Sequence, residues 1–295
     1  MKTSSLIIML CWLIGLLAVV AAGSGLFFHG GQSNHAFTTV RGEAAQIYGI
    51  GLYRYDSLMA GAGQRGVDFV TLLFGVPLLV LSAMRYRRRS ARGGLLLAGV
   101  LTYFLYVYAT LSVGIAFNAM FLVYVALFSA SFYALVLLVT VINVPQLMTC
   151  LADGPSHRFI GGFLMASGLL TSAVWLEAPL TSLLTGNPPA LLGHSTTLVT
   201  HALDLAIIVP AAFIAGVLVL RRNPLGYLIA VPLLILIVML VPTIIAMTAS
   251  QIRAGITFTT AEWIGPIVGF LILGALGILV TVRVLRRIPD EGVHC

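Results

Sequence analysis

Eight apolar runs punctuate this chain, each close to the length that carries an α-helix across a bilayer. A helix rises about 1.5 Å per residue, so roughly 20 apolar residues cross about 30 Å of hydrocarbon. The runs cover about 6–28, 67–84, 95–115, 119–142, 160–178, 197–220, 225–247 and 263–282 of the 295 residues. With 60% hydrophobic and 8% charged residues and a mean hydropathy of +1.07, the chain is excluded from the ordinary soluble domains. The expected fold is all-α: a polytopic membrane bundle of about eight transmembrane helices forming one transmembrane domain over 1–295, with an outer loop at 29–66.

The charges orient the bundle. With the N-terminus inside, the cytoplasmic segments hold Lys2, Arg85, Arg87, Arg88, Arg89, Arg92, Arg158, Arg221, Arg222, Arg283, Arg286 and Arg287, and the outer ones only Arg41, Arg54, Arg65 and Arg253. That asymmetry places both termini in the cytoplasm by the positive-inside rule. It also explains the net charge of +7 without a nucleic-acid partner, because the basic residues sit in short clusters between apolar runs. The single lysine, Lys2, leaves no buried lysine for Schiff-base chemistry.

The first run is longer than a signal-peptide core, so a retained helix is expected, although Ala21-Ala22-Gly23 offers a small-residue cleavage site. Cys11, Cys150 and Cys295 show no CxxC spacing and read as unrelated thiols. An interfacial helix is expected near Val40–Tyr48, and a tight antiparallel hairpin joins the third and fourth spans near Phe117-Asn118. Gly265/Gly269 and Gly162/Ala166 have small-xxx-small spacing, which favours close helix contacts. The aromatic residues Tyr103, Phe104, Tyr106, Tyr108, Tyr124, Phe128, Phe132 and Tyr133 read as packing, with hydroxyls bonded inside the bundle.

Asp68 and Asp204 both lie in the outer part of their spans, with a potential cation three residues earlier, Arg65 and His201, a proline further in, Pro77 and Pro210, and an inner arginine, Arg85 and Arg221. This spacing suggests a weak four-plus-four repeat with both halves in one orientation. Candidate residues for binding a solute or ion are Asp204, His201, Asp68, Arg65, Glu177, His194 and Glu262, all near the outer side. An ionised side chain in hydrocarbon costs several kcal/mol unless it is paired or hydrated. Asp204 is the central candidate, His201 its neighbour on one face, and Asp68 with Arg65 the matching pair. Glu262 also suits a helix cap.

No metal is expected: His194 and His201 are two helical turns apart, and neither HExxH nor an i, i+4 histidine pair occurs. Haem is disfavoured because His157 and His201 lie at different depths. GxSxG and Walker A motifs are absent, and no cofactor is expected. The segments Gly51-Leu52-Tyr53-Arg54-Tyr55-Asp56-Ser57, Tyr103-Phe104-Leu105-Tyr106-Val107-Tyr108 and Phe121-Leu122-Val123-Tyr124-Val125-Ala126-Leu127-Phe128-Ser129 resemble a group of bacterial polytopic membrane proteins to which no activity is attached. The resemblance covers the first half of the chain. It implies a bacterial inner-membrane setting and transfers no functional residue.

The leading expectation is a transporter or permease with an outward-facing polar cavity among the second, fifth, sixth and eighth helices, its partners the lipid bilayer and a small solute or ion. Two other classes stay open. One is a non-catalytic membrane partner, sensor or assembly factor, with a protein partner or a second copy of the chain. The other is a membrane-embedded enzyme acting at the outer leaflet.

Overall fold

The computed structural model describes residues 3–142, 157–189 and 192–288. Lys2, Cys150 and Cys295 lie outside them. Eight helices among the described residues are long and apolar enough to cross a membrane: α1 (Ser5–Phe27), α2 (Leu58–Arg87), α3 (Ala91–Gly114), α4 (Phe121–Val141), α5 (His157–Thr185), α6 (Val199–Leu220), α7 (Pro224–Arg253) and α8 (Trp263–Leu285). The chain thus has the build of a multi-pass membrane protein. α3 and α7 are buried over 72% and 56% of their most apolar stretch, the other six over 28–44%. These two therefore form the centre and pack on each other. The outer helices turn large apolar side chains such as Trp12, Leu122, Leu169 and Ile272 away from the bundle, as lipid-facing surfaces do.

Two expectations are corrected at the end opposite the arginine clusters. The second helix starts at Leu58, not near 67. Its first turns are Gly- and Ala-rich and carry Gln64 and Arg65, so hydropathy alone hides them, but Ser57 caps the helix by accepting from the Ala60 N–H (3.2 Å). The long loop therefore ends at 57. Within it, the segment expected as an interfacial helix is a β-hairpin, β1 (His35–Thr38) paired antiparallel with β2 (Ala44–Ile47). The β-branched Thr38-Thr39-Val40 favours extended backbone. Gly42, at φ +83°, supplies the left-handed turn residue.

Small residues make the close crossings, though not those expected. Gly162, Ala166 and Gly265 have no such role: a Cβ on Gly162 or Gly265 would meet nothing within 4 Å, and Ala166 is exposed. On α5 the packed face lies one residue earlier, where a Cβ on Gly161 would stand 2.8 Å from the Gly216 carbonyl of α6. The tightest crossing joins α2 to α7. A Cβ on Gly66 would stand 2.4 Å from backbone atoms of Ala246 and Met247. Phe104, Tyr108 and Tyr124 stack between α3 and α4, at 6.1 and 6.2 Å between ring centroids, so these rings are packing elements, as the sequence suggests.

Two helical hairpins, α2–α3 and α6–α7, share one plan. Each first helix widens into a π turn, Thr71–Gly75 and Asp204–Ile208, followed at once by Val-Pro. Proline lacks an N–H and crowds the preceding turn, and the wider turn absorbs that conflict. Each helix then ends on a left-handed arginine, Arg89 (φ 63°) and Arg222 (φ 56°). The next residue, Ser90 or Asn223, donates its N–H back to the Arg85 or Leu218 carbonyl (3.2 and 2.8 Å) and caps the following helix. Thr71 thus corresponds to Asp204, Pro77 to Pro210, Arg89 to Arg222 and Gly93 to Gly226, each 133 positions apart. In that register Asp68 faces His201, not Asp204, so the two carboxylates are not equivalent positions.

A left-handed non-glycine residue costs about 1 kcal/mol. Arg89→Gly and Arg222→Gly are each expected to raise the unfolding midpoint in detergent by a corresponding few degrees. That arginine nevertheless occupies both turns fits a charge kept for orientation in the membrane.

Candidate functional site

Asp68 sits on α2 one turn before the π turn and is 3% exposed. Tyr53, in the loop ahead of α2, donates its O–H to Asp68 Oδ2 at 2.7 Å. Burial, and then the negative carboxylate beside it, push the Tyr53 phenol further above its ordinary range, which keeps it a donor. Gly25 of α1 leaves the space: a Cβ there would lie 1.9 Å from Asp68 Oδ2. Arg65, the expected partner of Asp68, is engaged elsewhere. Its guanidinium donates to the Leu26 carbonyl (3.0 Å) and to the Tyr48 hydroxyl (3.3 Å), so the expected ion pair is absent. An arginine one turn nearer the interface extends its charged head toward the loop, where the charge costs less than deeper along its own helix. On the other side of Asp68, Thr71 shares a 3.3 Å hydrogen bond with Tyr103 of α3.

Among the described residues, three polar atoms near this carboxylate are buried without a hydrogen-bond partner: the Tyr124 hydroxyl, Gln64 Nε2 and Asp56 Oδ2. Asp56 is 4% exposed, and its other oxygen accepts the Ala116 N–H at 2.8 Å. Burial pushes the Asp56 carboxyl up to about 7, the Ala116 hydrogen bond opposing part of that rise. A raised carboxyl is protonated in the folded chain while the unfolded chain has already ionised. Its contribution is present below 3.8, the ordinary value, and is lost as pH rises toward about 7. Stability is expected to fall across that range by on the order of 4 kcal/mol, and the unfolding midpoint with it. In Asp56→Asn this slope disappears.

Asp204 opens the π turn of α6 and is 7% exposed. The Trp175 indole of α5 donates to its Oδ2 at 2.7 Å, and the Tyr106 hydroxyl of α3 approaches it. His201, 9% exposed, lies against the Trp175 ring with centroids 4.3 Å apart. The indole, rather than the imidazole, is thus what Asp204 binds. Among the described residues neither Asp68 nor Asp204 has a basic nitrogen within 4.0 Å; the ion pair there is Arg41–Glu43 on the hairpin. The two carboxylates have distinct partners, Tyr53 for one and Trp175 for the other.

The remaining candidates separate from both. Glu262 forms a capping box with Thr259, accepting the Thr259 N–H at 2.7 Å while its own N–H donates to Thr259 Oγ1 at 3.3 Å. Glu177 is exposed on α5. His194 lines a cavity of about 500 Å³ at the hairpin end, together with Gln32, His35, Arg54 and Tyr55. Its Nδ1 is buried without a partner among the described residues. Neither Asp68 nor Asp204 lines that cavity. Arg41 ties the hairpin to the loop before α6 through the Gly193 and Ser195 carbonyls.

Tyr53 and Trp175 are the contacts, and Asp56 the buried carboxyl, that reasoning from the sequence missed; the Tyr124 hydroxyl, expected to be bonded inside the bundle, has no partner among the described residues. Trp175 was the most recoverable: an indole N–H inside hydrocarbon needs an acceptor, and few acceptors exist at that depth.

The fold and its two buried carboxylates define a multi-pass helical bundle with polar centres inside its spans. No protein-family model, no curated protein and no solved structure matches this chain.

Proposed function

We propose that this protein is a carrier of the bacterial inner membrane, both termini cytoplasmic, that links the passage of a small solute or ion to proton movement, with Asp68 and Asp204 as the proton-bearing groups. One observation carries this reading: each carboxylate is more than nine-tenths buried within a span and is held by a neutral donor, Tyr53 O–H or Trp175 N–H, instead of a cation. A carboxylate so placed is stable only with a proton or a bound cation, and such groups inside spans mark ion and proton pathways. The π turn beside each, followed by proline, is where a helix bends most readily. The common plan of α2–α3 and α6–α7 supports a four-plus-four duplication with α3 and α7 at its axis.

The direct side-chain partners of both carboxylates, Tyr53 and Trp175, favour a second reading, a membrane partner or sensor in which they only hold helices together. Charge movement on a supported membrane separates the two. Amino acids, sugars, organic acids and inorganic cations are applied in turn to the reconstituted protein. The carrier reading expects a transient current with at least one of them, lost in Asp204→Asn. No current with any of them supports the partner reading.

A further inference from the structure

We infer that ordered water fills the space between Asp56, Tyr124 and Asp68, and that this water is the route by which protons reach Asp68 from the hairpin end. The inference rests on the proton-linked reading above and supplies its entry path. Two side chains carry it. Among the described residues, Asp56 Oδ2 and the Tyr124 hydroxyl are both without a hydrogen-bond partner, on residues 4% and 1% exposed. Buried polar atoms in native proteins are almost always hydrogen-bonded, and where protein offers nothing, bound water does. An orphaned acceptor and an orphaned hydroxyl in one neighbourhood, with Gln64 Nε2 a third such atom, provide the two to four polar contacts that a buried water requires.

The arrangement is directional. Arg54 and Tyr55 line the cavity at the hairpin end, and Asp56 follows them directly. Tyr124 of α4 lies beside Tyr53 and Asn118, and Tyr53 already donates to Asp68. The titratable groups facing Asp68 are Tyr53 from the loop, Arg65 on its own helix, Tyr103 and Tyr108 from α3, and Tyr124 from α4, with the Gln64 amide also beside it. Arg65 is held by Leu26 and Tyr48, and the phenols keep their protons, so the groups left to exchange one are the two carboxyls. Asp56 as the acid gives its proton to the water, and the water gives one of its own to Asp68. Asp56 is left as carboxylate and regains a proton from the hairpin side. One proton moves inward, and the tyrosine hydroxyls orient the water without being consumed. That the Asp56 carboxyl titrates near neutrality suits it to this exchange.

The test follows the carboxylic-acid C=O band by infrared spectroscopy on protein reconstituted in lipid, as the bathing buffer is switched from H2O to D2O. The wild type should show at neutral pH a protonated-carboxyl band that disappears in Asp68→Asn and shifts promptly in D2O. In Asp56→Asn and in Tyr124→Phe that band should persist, with its shift slowed about tenfold or more. Tyr133→Phe, on an exposed residue of α4, should leave the rate unchanged. If Tyr124→Phe does not fold, Asp56→Asn alone decides. Absence of a band that depends on Asp68, or equal exchange in wild type and variants, overturns the inference. The measurement needs no transported solute. Slowed exchange in the variants without any solute current would keep the water path and remove the carrier reading.

Discussion

Asp204→Asn is expected to reduce solute-dependent charge movement to background, at least about a hundredfold, because a carboxamide keeps the shape and the acceptor of the side chain but cannot take up a proton. The asparagine carbonyl can still accept the Trp175 indole N–H, now 2.7 Å from Asp204 Oδ2. The fold should therefore survive with its unfolding midpoint nearly unchanged, and the loss falls on function. Trp175→Phe acts in the other direction on the same contact: it leaves the carboxyl in place and removes its donor. A partial loss is expected there, with a changed pH profile of the current, since the carboxyl loses the donor that orients it. If Asp204 only glues α6 to α5, Asp204→Asn should leave the current intact.

Gly66→Leu is expected to have the largest effect on stability, roughly 3 kcal/mol or more. The added Cβ would lie 2.4 Å from backbone atoms of α7 at Ala246 and Met247. No rotamer change relieves a clash with backbone, so α2 and α7 must separate. That separation also pulls at the Gln251 Nε2 to Met59 carbonyl hydrogen bond (3.1 Å), which spans the same pair of helices. Gly162→Leu is the control: nothing lies within 4 Å of its Cβ position, so its thermal midpoint in detergent should stay within experimental scatter of wild type. Equal midpoints for the two variants would show that the α2–α7 crossing is not the tight joint described.

What the sequence shows and what it hides divide along physical lines. The spans are legible because lipid requires about 20 apolar residues in a row, and nothing in the tertiary structure can waive that. The start of α2 at Leu58 was hidden because glycines and Arg65 lower its hydropathy, although they make its packed face: Gly63 and Gly66 face α7. The hairpin at His35–Ile47 was hidden because a short amphipathic stretch reads equally as strand or helix until Gly42 fixes the turn. Asp68 and Asp204 were conspicuous as carboxylates in apolar runs. Their partners were not, because partners belong to other helices and helix spacing reports only neighbours on one helix. Arg65 and His201, each three residues from a carboxylate, were therefore overvalued, while Tyr53 and Trp175 were passed over. Aligning the two acids also set the suggested repeat three residues away from the alignment that the prolines and the left-handed arginines give.

Proton uptake into liposomes, followed with a trapped pH-sensitive dye as a solute gradient is imposed, tests most directly whether the two carboxylates bear the transported proton. The wild type should change the internal pH when the solute that gives a current is present on one side only. Asp68→Asn and Asp204→Asn should each abolish that change. A solute-driven pH change that persists undiminished in the double variant would contradict the account.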